Sequence, residues 1–148
     1  AGGRWRIGHV GDSRAYLLRD GELRQLTVDH SWVGLQVARG ELTKEEARRH
    51  PMSSALERAL GTSPEVEVDV EGGEARPGDL FLLCSDGLNA MLPDAEIESL
   101  LLEEGELPAG EEPAGDGELE AATDRLVDAA VRAGGDDNVT VVLVAVGS

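Results

Sequence analysis

The chain has little sulfur, aromatic surface or lysine. Its 148 residues include one cysteine, one phenylalanine, one tyrosine, two tryptophans and a single lysine, Lys44. A lone thiol, Cys84, cannot close an internal disulfide. At the end of the apolar run 80–84 it stands where a buried, inert cysteine is expected. No apolar run approaches the roughly 18 residues that span a bilayer. No basic-then-apolar start resembles a signal peptide. The expectation is a reducing, cytoplasmic setting without membrane contact from this segment.

Positive charge is also scarce. Thirty acidic residues face 13 basic ones, a net charge of -17. Duplex nucleic acid and anionic membrane would be repelled, which excludes the function classes that depend on them. Surplus carboxylate is compatible with divalent cations, although most of it makes a solvated surface. With 41% apolar residues over this length, the chain can bury one sizeable core.

Periodicity predicts strands over residues 5–10, 15–18 and 22–27, the last two joined by the Asp20-Gly21 hairpin signal. Ser31 caps a predicted helix to about Arg39, with Gly40 as its stop. Thr43-Lys44-Glu45-Glu46 has capping-box spacing and opens a second helix that ends before Pro51. A helical turn is predicted over 54–60, and a half-buried strand where Val66, Val68 and Val70 alternate with acids. Residues 80–84 read as an apolar strand. Pro93-Asp94 starts a helix carrying Ile97, Leu100 and Leu101. Residues 104–117, made largely of Gly, Pro, Glu and Ala, read as a flexible acidic insertion. A helix over 119–132 and a strand from Val139 to about Val144, apolar enough to be buried on both faces, complete the pattern. The whole is α+β. Ala1-Gly2-Gly3 has hairpin-turn chemistry with no strand before it, so the chain is expected to start inside a hairpin.

Three acidic motifs end or follow strands: Gly11-Asp12-Ser13-Arg14, Ser85-Asp86-Gly87 and Gly135-Asp136-Asp137-Asn138. Each alone suits a turn. Together they can converge on one rim of a small sheet. Carboxylates without histidine or cysteine partners suit hard ions such as Mg²⁺ or Mn²⁺. A pair of such ions can activate water and steady a phosphoryl group. His9 and His50 read as packed or solvated, Arg14 as the partner of a nearby acid, and Trp5 and Trp32 as packing residues.

Residues 10–16 (Val-Gly-Asp-Ser-Arg-Ala-Tyr), the segment 42–47 with His50-Pro51, residues 83–88 (Leu-Cys-Ser-Asp-Gly-Leu) and residues 137–142 (Asp-Asn-Val-Thr-Val-Val) follow one another in a distinctive order. That order and spacing resemble the metal-dependent protein phosphatases of the PPM (type 2C) family, most closely its bacterial members. The resemblance covers nearly all of the chain outside 104–117. It implies a β-sandwich of two antiparallel sheets flanked by helices, in α-β-β-α layers. The implied reaction is hydrolysis of phosphoserine and phosphothreonine in phosphorylated protein substrates at a Mn²⁺ or Mg²⁺ site, without a covalent intermediate, opposite a cognate serine/threonine kinase. Carried over residue by residue, Asp86 and Asp137 match ligands of one core metal, and Asp12 a ligand of a third, weaker one. Asp136 is then a turn neighbour, Asn138 helps hold the turn, and residues 31–60 resemble the flap beside the active site.

Two departures accompany the resemblance. The family's phosphate-holding arginine and the Asp-Gly motif whose aspartate bridges the core metals have no counterpart here. Ala90 stands where an acidic residue often serves the third metal. The expectation is a single partial domain over 1–148, the C-terminal portion of a catalytic domain, with no catalytic residue assigned and no activity by itself. The alternative is a non-catalytic phosphatase-like binding or regulatory module. Other phosphatase chemistries are excluded directly. A cysteine phosphatase needs an arginine six positions after Cys84, where Ala90 stands, and the Asp-x-Asp-x-Thr motif of haloacid-dehalogenase types does not occur.

Overall fold

A computed structural model of the chain describes residues 3–103 and 114–147. The strands are β1 (Gly3–His9), β2 (Arg14–Arg19), β3 (Glu22–Gln25), β4 (Asp69–Ala75), β5 (Leu80–Cys84) and β6 (Val141–Ala145). The helices are α1 (Trp32–Ala38), α2 (Lys44–Arg49), α3 (Asp86–Met91), α4 (Asp94–Leu102) and α5 (Asp116–Arg132). The strands form two antiparallel sheets, one ordered β1-β4 and the other β3-β2-β5-β6. The mixed α+β architecture with two antiparallel sheets expected from the sequence is present.

Local chemistry explains the elements. Asp20 and Gly21 both take positive φ (54° and 80°), the backbone that turns β2 into β3 with the twist of a tight hairpin. The Ser31 side chain accepts from the Gly34 N–H and caps α1. In α2 the Thr43 hydroxyl accepts from the Glu46 N–H while the Glu46 carboxylate accepts from the Thr43 N–H, closing a capping box.

β2 and β5 carry the core because both their faces are covered along most of their length, with Leu83 left exposed. Tyr16, Leu18, Leu80, Leu82 and Cys84 point to one side, where Leu88, Leu92, Ile97, Leu101, Leu126 and the alanines 122 and 130 pack on them. In α5 the spacing Ala122, Leu126, Ala130 sets one buried stripe, since residues four apart share a helix face. Across the other face the Trp5 ring of β1 meets Phe81 of β5 edge-on, with centroids 5.5 Å apart. Arg19 ties the β4–β5 turn to this sheet by a two-point fork on buried Asp79, at 2.6 Å to each oxygen. Cys84 lies inside the core, and burial pushes its thiol up to about 12.

Several expectations are corrected. Residues 54–60 are not helical; Leu56 instead bridges Ser31 in an antiparallel contact, and the Glu57 N–H donates to the His30 carbonyl. The strand expected around Val66–Val70 begins only at Asp69 and runs on through Gly72 and Gly73, because β1 supplies its ladder partners there, and Val68 and Val70 are exposed. β6 is not buried on both faces. Val141, Leu143 and Ala145 pack on the helices, whereas Val142 and Val144 are 47% and 46% exposed. Helix α5 starts at Asp116, inside the stretch expected to be an insertion, and the Gly115 N–H donates to Glu118 at 2.6 Å. Residues 104–113 of that stretch lie outside the described residues. Helix α3 was not expected from the sequence.

Leu82, 1% exposed on the central ladder, is packed between the sheet and the helices, so its truncation leaves a cavity there. Leu82→Ala should cost about 2–5 kcal/mol, read as a lower urea midpoint at unchanged slope.

Candidate active-site rim

The register of the main sheet positions the acidic motifs. β2 and β5 pair with Arg14 opposite Cys84. Two residues beyond that pair, on the two chains leaving the ladder, come Asp12 and Asp86. Gly11 makes the turn out of β1 possible because its φ is 110°, a region open to glycine and strained for other residues. Asp12 is half-buried there, and Asp86 opens α3 from the other side. Burial and the nearby Asp86 carboxylate push the Asp12 carboxyl above its ordinary value. Two carboxylates facing one another in this way are an arrangement that a cation relieves.

The Asp137 loop is held against the same corner by its backbone. The Ser85 hydroxyl donates to the Asn138 carbonyl at 3.0 Å and accepts from the Thr140 N–H at 3.0 Å. Gly87 leaves the space that this loop fills, since a Cβ there would lie 2.3 Å from the Asn138 oxygen. Asp137 itself is exposed and accepts from its neighbour's N–H, Asn138, at 2.7 Å. Asp136 is exposed in the same turn. Asn138 takes part in the turn through its backbone, with its carbonyl accepting from Ser85 and its N–H donating to Asp137. The rim therefore brings Asp12 beside Asp86 and lays the Asp137 loop against the turn that carries Asp86. Among the described residues, no group of three or more His, Cys, Asp or Glu side chains comes close enough to hold a metal ion by itself. The donor chemistry of these carboxylates fits a hard divalent cation.

Arg14 is engaged elsewhere. Its guanidinium forks onto Asp29 at 2.7–3.1 Å and donates to the Tyr16 hydroxyl at 3.0 Å. Burial works against the charged guanidinium, and the Asp29 fork outweighs it, so its pKa rises. The Tyr16 hydroxyl passes its own hydrogen bond to Asp94 at 3.1 Å, and Lys44 of α2 also binds Asp94. Arg48 of α2 donates to the Ala90 and Met91 carbonyls at the end of α3. Between α1–α2 and α3–α4 lies a groove of about 700 Å³, with Asp12 and Asp86 in its lining and Val33, Val37, Ala47 and Leu56 on its apolar wall. Trp32 packs on His50, with centroids 4.9 Å apart, as expected of packing residues.

Sequence reasoning missed Ser85, which pins the Asp137 loop, and a network behind Asp12 centred on the buried His30. In that network His30 meets Gly11 and Asp69, and Asp69 takes Arg58 at 2.8 Å. The partners lie 19, 39 and 11 positions apart, so no spacing rule could have found them. The Arg58 hydrogen bond, then His30, holds Asp69 down to about 2, below its ordinary 3.8.

These features define a two-sheet α+β domain with a carboxylate rim at its strand ends. The profile of the Stage II sporulation protein E (SpoIIE) family matches residues 15–147. The chain is 46% identical over 143 residues to the serine/threonine protein phosphatase PstP of Mycobacterium tuberculosis, covering 97% of this chain and 25% of that protein. It superimposes on the serine/threonine phosphatase Stp1 from Staphylococcus aureus with a TM-score of 0.81 at 33% identity, covering 98% of this chain and 52% of that one. A PstP catalytic domain in complex with two manganese ions matches with a TM-score of 0.79 at 40% identity, over 100% of this chain and 56% of that one. The chain belongs to the SpoIIE/PP2C-like family of PPM phosphatase domains. It spans about half the length of these two solved relatives and a quarter of the mycobacterial protein.

Two measurements test this geometry. Gly87→Ala forces a methyl against a backbone carbonyl that cannot step aside, which should cost about 1–3 kcal/mol and release the Thr140 amide to hydrogen exchange. The Asp69 contribution has its sign set by a folded pKa below the unfolded one. It is complete above about pH 4 and is lost as pH falls toward 2. Asp69→Asn should flatten the acid limb of stability against pH over that window, measured by urea denaturation.

Proposed function

We propose that this chain carries part of the metal site of a PPM-type protein serine/threonine phosphatase, with Asp86 and Asp137 serving one Mn²⁺ or Mg²⁺ and Asp12 joining Asp86 on a further, weaker one. The observation that carries this reading is the convergence at one corner of Asp12, Asp86 and the Ser85-pinned Asp137 loop. Relatives that are serine/threonine phosphatases, one of them solved with two manganese ions, support it. A divalent ion held there would supply positive charge for the phosphoryl oxygens and would acidify a water. This chain's own residues do the rest. Arg14 and Asp29 brace the start of β2, Ser85 and Gly87 fix the Asp137 loop, and the groove beside the rim takes the phosphorylated protein segment.

The 148 residues by themselves are catalytically silent in this reading. Two or three carboxylates leave much of the charge of two divalent ions uncompensated, and among the described residues no three-ligand cluster is complete. The partners are phosphorylated proteins and a cognate serine/threonine kinase. The setting is cytoplasmic, and no helix among the described residues is long and apolar enough to cross a membrane.

Isothermal titration with Mn²⁺ tests the reading, comparing the chain with Asp86→Asn and Asp137→Asn. Saturable binding that both substitutions abolish supports the shared ion. Binding unaffected by either would favour a non-catalytic phosphatase-like module, in which these motifs are turns only. Mn²⁺-dependent phosphate release from a phosphothreonyl peptide is expected to stay at background for this chain.

A further inference from the structure

His30 joins three parts of the chain that are distant in sequence. It is 1% exposed. Its backbone N–H donates to the Gly11 carbonyl at 2.8 Å, and its Nδ1 accepts from the Gly11 N–H at 3.2 Å. Both polar backbone groups of Gly11 therefore end on one residue. An Nδ1 that accepts leaves the ring proton on Nε2 in the neutral ring, and Nε2 lies 3.0 Å from Asp69 Oδ2. On its far side Asp69 takes the Arg58 guanidinium, and the His30 carbonyl accepts from the Glu57 N–H at 2.8 Å. The His9 ring packs on the His30 ring with centroids 4.5 Å apart. The Gly11–His30 bond is buried, whereas Asp69 and Arg58 lie at the partly exposed end of the network.

We infer that His30 is a positioning residue for the rim. By gripping Gly11 at both its N–H and its carbonyl it sets the direction in which the next residue, Asp12, presents its carboxylate to Asp86. Through Asp69 and Arg58 it ties that direction to residues 56–58, the returning end of the segment that walls the groove. The inference rests on the reading of Asp12 and Asp86 as metal ligands. The physical need is plain. A turn with φ of 110° at Gly11 has the whole glycine range open to it, and a ligand carried on such a turn is useful only if the turn is held. Groups that orient metal ligands without touching the metal commonly change affinity by about 10- to 100-fold when removed.

Two substitutions separate the halves of the clamp. His30→Asn places an amide oxygen near the position of Nδ1, keeping the Gly11 bond and losing Asp69. His30→Gln places an amide nitrogen near Nε2, keeping Asp69 and losing Gly11. The readouts on the full chain are hydrogen exchange of the Gly11 amide without metal and Mn²⁺ broadening of the Asp12 and Asp86 amides, which registers even weak binding. The expected result is loss of Gly11 protection and about tenfold or greater weakening of Mn²⁺ in His30→Gln, with both close to wild type in His30→Asn. Equal weakening in both variants, or Gly11 protection that survives His30→Gln, overturns the inference. Wild-type chain that shows no Mn²⁺ broadening at Asp12 and Asp86 overturns the ligand reading and the positioning role with it. The Gly11 exchange data tell this failure from the other, because they read the clamp without metal. Should His30→Gln fail to fold, His30→Met, which fills the buried site with an apolar side chain of similar length, removes the Nδ1 acceptor as well. Reduced Gly11 protection there supports the clamp, and unchanged protection overturns it.

Discussion

The antiparallel pairing of β2 with β5 is the constraint on which the rest of this structure depends. It buries both faces of two adjacent strands along most of their length, so it is the centre of the core. Its register, Arg14 against Cys84, also decides that the residues two beyond the ladder on each chain are Asp12 and Asp86. A slip of one residue would exchange every inward side chain for an outward one and would separate these two acids. Fold stability and site geometry are thus one quantity here. The core cannot repack in another register without dismantling the rim.

That rim concentrates negative charge. Asp12, Asp29, Asp86 and Asp94 all line one groove, in a chain already carrying a net charge of -17. The buried cation available to them is Arg14, and it is committed to Asp29 by a fork and lies 3.7 Å from Asp94. Lys44 reaches Asp94 from α2. Asp12 and Asp86 are the pair these cations leave over, and burial, then the Asp86 carboxylate, raises the Asp12 carboxyl. The fold thus balances Asp29 and Asp94 with an arginine and a lysine and leaves Asp12 and Asp86 beside each other without such a partner among the described ion pairs.

Much of this was legible in the chain of letters, because it rests on short-range rules. The Asp20-Gly21 hairpin, the Ser31 and Thr43 caps and the apolar strand at 80–84 are each decided within a few residues, and each appears where expected. The misreadings share a cause. Residues 54–60 have helical spacing, but Ser31 and His30 offer backbone partners that draw Leu56 and Glu57 into an extended path. Val66 and Val68 alternate like a strand, yet β1 meets the chain only from Asp69 onward. Val142 and Val144 are apolar enough for a doubly covered strand, and the covering of their outer face is a property of the neighbours rather than of the residues.

The sequence by itself determined the three acidic turns, the family they signal and the alternation that makes a two-sheet core, since these depend on residue type and near neighbours. Only the tertiary structure decided that Asp12 faces Asp86, that Ser85 and Gly87 seat the Asp137 loop, and that a buried histidine grips the turn behind Asp12. Those contacts join residues that lie as far apart in sequence as Asp12 and Asp86, or Ser85 and Thr140. Their energy comes from burial and strand register, which come into being only when the whole chain is folded.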